Sequence, residues 1–135
     1  MFSGISSLSL DPKGRMTVPV RYRENLVSKE SNELALVESH FGCLLLMSFF
    51  EWKKKVDYLA QNGTEEDKRF WIGLSDTPEL DKSGRVLISP VRRQGAEIRK
   101  DVLLLGVGAN LEIWDASRLQ NHKASMRLNF ENQKR

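Results

Sequence analysis

A six-residue frame occurs twice in this chain. LDPKGR spans residues 10–15 and LDKSGR spans residues 80–85, exactly one offset of 70 positions apart in a chain of 135. Two copies at one offset point to two related structural units. Neither unit has more than about sixty residues, which is marginal for independent folding. Each is therefore expected to pack against the other.

The similarity extends beyond the frame. Ile5, Leu8 and Leu10 lead into the first copy, and Leu74 and Leu80 into the second. Met16 and Val18 follow the first, Val86 and Ile88 the second, with the period of two that marks half-buried strands. Pro19 or Pro90 then opens a basic segment, VRYRENL or VRRQGAEI. Proline suits the first turn of a short helix. The extra Ser89 before the second proline predicts a bulge. Two extended runs come next in each half: ELALVES and CLLLMSF joined by HFG, then DVLLLGV and NLEIWD joined by GA. A helix closes each half. FEWKKKVDYLA puts Trp52, Val56 and Leu59 on one face. DASRLQNHKASMRL has a cap in Asp115 or Ser117, with Leu119 and Met126 on its apolar side. TEEDKRFWIGLS reads as a linking helix capped by Thr64. The expected class is α+β and β-rich. The first half with its helix occupies 1–62, the linking helix 63–76, the second half with its helix 77–128, and a frayed tail 129–135.

The repeated frame is a turn. Asp11 and Asp81 can accept backbone N–H bonds, Pro12 fixes φ, and Gly14 and Gly84 permit positive φ. Such a turn closes a hairpin with a bulge. It does not require the arginine that follows. Arg15 or Arg85, held by the aspartate four residues earlier, would be a pre-oriented guanidinium suited to two-bond recognition of guanine.

Charge is distributed to match. Residues 1–23 carry net +3, residues 24–79 net −5, residues 80–100 net +4 and residues 101–135 net +1. Positive charge thus gathers in and just after the two turns, as an anionic partner would favour. Lys13, Arg21, Arg23, Lys82, Arg92 and Arg93 are candidates for phosphate contact, which positions without specifying sequence. No run approaches the ~20 apolar residues of a membrane span. MFSGISSLSL lacks the basic segment and apolar core of a signal peptide, and the single Cys43 cannot form an internal disulfide, so a reducing cytoplasm is expected.

Catalysis finds little support. His40, His122 and Cys43 are not at metal-ligand spacing, and no phosphate-binding glycine loop or G-x-S-x-G occurs. No enzyme activity, metal, cofactor or small-molecule substrate is expected. Trp52, Phe70, Trp71 and Trp114 fall at positions that suit packing rather than base stacking, which disfavours specific RNA binding.

The opening MF-S-G, then LDPKGRMTVPVRYRENL, LDKSGRVLISPVRR and LEIWD, resembles the MraZ family of bacterial transcription regulators over nearly the whole chain. The resemblance implies a tandem pair of AbrB-like swapped-hairpin units, similar to a double-split β-barrel. It implies binding to short G-rich direct repeats in double-stranded DNA, in the promoter of the protein's own division and cell-wall operon. It also implies a ring-shaped homo-oligomer associated with the nucleoid. The DNA-facing residues become Asp11, Lys13, Gly14, Arg15, Asp81, Gly84 and Arg85. The chain departs from the family at Ser3, where Arg is usual, at Ser75, where Ala is common, and at Ser83, where the first turn has Lys13; its tail is somewhat short. Two alternatives stay open: a protein-interaction or antitoxin module on the same hairpin unit, and a non-specific nucleic-acid-binding oligomer. One turn contacts few bases, so useful affinity requires several copies acting together.

Overall fold

The computed structural model describes residues 1–133. The chain order is β1 (Phe2–Ser9), β2 (Arg15–Thr17), α1 (Val20–Arg23), β3 (Leu34–Glu38), β4 (Leu44–Ser48) and α2 (Phe49–Asn62). There follow α3 (Glu65–Lys68), a π-helical turn at Arg69–Gly73, β5 (Ser75–Asp76), β6 (Arg85–Leu87), α4 (Pro90–Gly95), β7 (Asp101–Gly108), β8 (Leu111–Asp115) and α5 (Ala116–Gln133). The class is α+β with antiparallel pairing throughout.

The halves exchange strands. One six-stranded sheet runs β1-β7-β8-β4-β3-β5, and β2 pairs with β6 in a separate ribbon. The first strand of the chain thus lies on the hairpin of the second half, from Phe2 opposite Gly108 to Ser9 opposite Asp101. Strand β5 returns the exchange by pairing with β3. The expected hairpins at the two turns are therefore corrected: β1 does not pair with β2, nor β5 with β6. Period-two patterning identifies a strand but not its neighbour.

The central strands β3 and β4 are buried on both faces, which is why LALV and LLLM carry no polar positions. One face holds Leu34, Leu36, Leu44, Leu46, Leu104, Leu111 and Ile113, together with Met16, Val18, Val86 and Ile88 of the ribbon segments. The other holds Ala35, Val37, Leu45, Met47, Trp114 and Leu119, with Trp52 and Trp71 packed against them. At Gly106 the β1 backbone passes so close that a Cβ would overlap Phe2 and Ser3.

Local signals hold at most helix ends. Ser48 accepts from the Glu51 N–H to cap α2. Thr64 and Asp67 form a reciprocal capping box at α3. The linking helix then loosens into the π-helical turn, whose Trp71 carbonyl accepts from Trp52 Nε1 at 2.9 Å. Asp115 accepts from the Arg118 N–H and is the α5 cap.

Four other expectations change. No bulge precedes Pro90: Arg15 and Arg85, Val18 and Ile88, and Arg23 and Arg93 keep the offset of 70, and only the proline has moved by one position. Pro19 is the N-cap residue of α1, whereas Ser89 caps α4 and Pro90 is its first residue. Met126 does not join the core; it is exposed beyond Leu119, along with Leu128. Helix α5 continues through Gln133 into the stretch expected to fray, and residues 134–135 of that stretch lie outside the described residues.

Leu104→Ala, at the centre of the larger core face, should cost about 2–5 kcal/mol. Urea denaturation checks this, with a lowered midpoint and an unchanged slope.

Candidate nucleic-acid interface

The two turns are built alike, atom for atom. Asp11 N–H donates to the Arg15 carbonyl at 3.0 Å and Gly14 N–H to the Asp11 carbonyl at 2.9 Å. Asp11 Oδ1 accepts from the Lys13 and Arg15 N–H groups at 3.0 and 2.8 Å, and Oδ2 from Arg15 Nε at 2.6 Å. Asp81 repeats the set with Ser83 N–H at 2.9 Å, Arg85 N–H at 2.8 Å and Arg85 Nε at 2.9 Å. The glycines take φ of +89° and +80°, where a side chain would be strained.

The aspartates are held below the ordinary carboxylate value of 3.8. At Asp11 the Arg15 backbone N–H is the main cause; the Arg15 guanidinium and the Lys13 N–H add to it against partial desolvation. Asp81 is lowered by Arg85 and Ser83 in the same way. Each ion pair is partly exposed and so contributes little to stability. Its effect is geometric. The carboxylate occupies Nε and leaves both terminal nitrogens of each arginine for another acceptor.

The ribbon brings the two arginines onto one surface. Met16 lies opposite Val86, Arg15 opposite Leu87, and Thr17 opposite Arg85. Directly opposed residues share a face. Met16 and Val86 are 0% exposed on the inner face, so Arg15, Thr17, Arg85 and Leu87 occupy the outer one. The arginine α-carbons stand two residues apart along the ribbon and one strand across it, roughly 8 Å. Leu87, 49% exposed, and Thr17 lie between them. Sequence reasoning passed over both, although alternation with Met16 and Val86 places them outward.

The phosphate candidates divide. Lys13 and Lys82 are exposed beside the turns. Arg21 is exposed, with its guanidinium 4.4 Å from the centre of the Tyr22 ring and bonded to Ser6 Oγ and Tyr22 Oη. Arg23 and Arg93 are half-buried; their Nε atoms donate to the carbonyls of Val18 and Ile88. Arg92 must be removed from the set. It is 8% exposed, pairs with Glu38 of β3, and lies 3.5 Å from Asp76 of β5. Burial commits it to the fold. The offset of 70 places Arg92 where the first half has Tyr22, whose hydroxyl donates to the Ser3 carbonyl at 2.6 Å. Both residues thus tie a short helix to an exchanged strand, and that correspondence was the available clue.

Of the departures from the family pattern, Ser3 pairs with Val107 in the β1–β7 ladder, Ser75 Oγ donates to the Ile72 carbonyl, and Ser83 supplies a backbone N–H to Asp81. Each is accommodated by the fold.

Residues considered for catalysis sit elsewhere. Burial pushes the Cys43 thiol up to about 12, so it is not a thiolate at neutral pH. His40 lies against Phe41 and Phe70, and His122 against Trp114. Among the described residues no cluster of three potential metal ligands occurs, and no helix is long and apolar enough to cross a membrane.

Comparison with known proteins follows the two halves. The family model described as "MraZ protein, putative antitoxin-like" matches residues 1–70 and 72–135. A transcriptional regulator MraZ from Verminephrobacter eiseniae is 42% identical over 126 residues, covering 92% of this chain and 89% of the relative. One from Paraburkholderia phytofirmans is 43% identical over 119 residues, covering 86% and 83%. One from Delftia acidovorans is 38% identical over 126 residues, covering 92% and 89%.

Because the carboxylate pKa values are depressed on folding, the contribution of each aspartate is present above 3.8 and is lost as pH falls through the lower folded value. The amide resonances of Arg15 and Arg85 should therefore titrate with midpoints below 3.8. Asp11→Asn should abolish the Arg15 transition and leave that of Arg85 intact.

Proposed function

The chain belongs to the MraZ family, and from that membership we propose that it is a transcriptional regulator that reads double-stranded DNA with the outer face of the β2–β6 ribbon. The observation that carries this reading is the pair of aspartate-held arginines, Arg15 and Arg85, on one exposed face. The major groove admits a two-stranded ribbon, and an arginine with two free terminal nitrogens matches O6 and N7 of guanine. A spacing of roughly 8 Å is between two and three base-pair steps of ~3.4 Å. Lys13, Lys82 and Arg21 flank this face and would meet phosphates, which set register without selecting sequence. Asp11, Gly14, Asp81 and Gly84 shape the turns.

The finer reading follows the same line. The exchanged strands constitute two AbrB-like swapped-hairpin units within one chain. The target is a set of short G-rich direct repeats upstream of the protein's own operon, and the protein works in the cytoplasm on the nucleoid. It acts as a homo-oligomeric ring, because a ribbon this short reads few base pairs and linked sites multiply affinity. Exposed apolar side chains on α2 and α5, including Phe50, Tyr58, Met126 and Leu128, support contact between copies. The antitoxin-like alternative requires a partner protein on this ribbon; basic groups at both of its ends favour a polyanion.

Fluorescence anisotropy at near-physiological salt should show preference for a duplex from upstream of the protein's own gene over a scrambled one by more than about tenfold, or ~1.4 kcal/mol. Equal binding would reduce the ribbon to a backbone grip. Arg15→Ala should lower that discrimination by about 1–3 kcal/mol; an equal loss on both duplexes would make Arg15 a phosphate contact. Light scattering at micromolar concentration should show an oligomer, and a monomer there would end the ring reading.

A further inference from the structure

Arg23 and Arg93 lie at equivalent positions, at or near the ends of α1 and α4. Each is rooted in its own half: Arg23 Nε donates to the Val18 carbonyl at 2.9 Å, and Arg93 Nε to the Ile88 carbonyl at 3.0 Å. Each guanidinium then lies on the turn of the other half. A Cβ on Gly14 would stand 2.8 Å from Nε and Cζ of Arg93, and one on Gly84 would overlap the guanidinium of Arg23. The backbone is crossed too. Ile88 N–H donates to the Gly14 carbonyl at 3.0 Å, and Val18 N–H to the Gly84 carbonyl at 2.8 Å. Ile88 thus holds the first turn by its N–H and holds Arg93 by its carbonyl. Val18 does the same for the second turn and Arg23. Glycine is required at these two places both by φ and because a guanidinium plate fills the space of a side chain.

We propose that Arg23 and Arg93 are crossed positioning residues. Arg93 sets the turn that carries Arg15, and Arg23 sets the turn that carries Arg85. Neither basic turn is in place until the other half has folded onto it, so the two reading heads form as a unit. The effect on binding rests on the DNA reading above; the crossed ordering of the turns does not. It also gives these two arginines a task other than the phosphate contact expected from their position beside the turns.

Charge-preserving variants separate the two tasks. Lysine keeps the positive charge that a phosphate would meet but lacks the planar group and the Nε donor. In the full chain, Arg93→Lys should speed amide hydrogen exchange at Lys13 and Arg15 by about tenfold or more, and at Ser83 and Arg85 by less than about twofold. Arg23→Lys should give the reverse. Unchanged exchange at Leu104 and Ile113 reports an intact core; if those amides also lose protection, the same comparison on Arg93→Gln decides. With the upstream duplex, Arg93→Lys should relax discrimination at the base pairs that Arg15→Ala relaxes. Its effect should be largely absorbed in combination with Arg15→Ala and additive with Arg85→Ala. Faster exchange in a variant's own turn, or in neither turn, would overturn the proposal, as would full retention of target discrimination by Arg93→Lys. If the wild-type protein does not distinguish the upstream duplex from a scrambled one, the DNA reading fails and the exchange pattern alone judges the crossed lock.

Discussion

Everything in this structure depends on the exchange of strands between two halves that cannot complete their own sheets. Strand β1 covers β7, β5 extends β3, and β2 finds β6 rather than its own neighbour in sequence. The physical cause is the apolar surface of β3, β4, β7 and β8. Each hairpin is apolar on both faces, and the strands, ribbon and short helices that cover it come from both halves. The core is therefore shared, and the stability of either half includes the presence of the other.

This shared core also solves a problem of placement. A basic residue on an isolated loop would sample many directions, and ordering it at the moment of binding costs affinity. Here each arginine is fixed by a carboxylate that is itself fixed by one backbone N–H of the turn and by the arginine's own backbone N–H. The turns are fixed in their place by the ribbon, whose inner residues Met16 and Val86 are fully buried. The surface ion pairs contribute little to stability. Their value lies in where they leave the terminal nitrogens.

The two halves have diverged where they anchor their helices. Tyr22 reaches the backbone of a long β1 by one hydroxyl. Arg92 reaches the carboxylates of Glu38 and Asp76 across a β5 of only two residues. The short strand has few ladder bonds with which to hold itself, and an ion pair takes over part of that task. A buried pair of this kind is costly to break from one side, which explains why Arg92 is withdrawn from the surface although it is adjacent in sequence to the half-exposed Arg93.

Much of the molecule is legible in one dimension because its causes are short-range. Asp, Gly and Arg within six residues specify the turn, its positive φ and its internal ion pair. Period two places Met16 and Val86 inward, and a side-chain cap starts α3 where Thr64 stands. The offset of 70 announces a duplicated unit. What stayed hidden depends on partners far along the chain: the pairing of β1 with β7, the burial of Arg92, and the seat of Arg93 on Gly14. Local residues determined which pieces form. Only the packing of apolar faces in three dimensions decided which pieces meet, because that choice lowers free energy through area shared between distant segments, and no short window of sequence contains both sides of it.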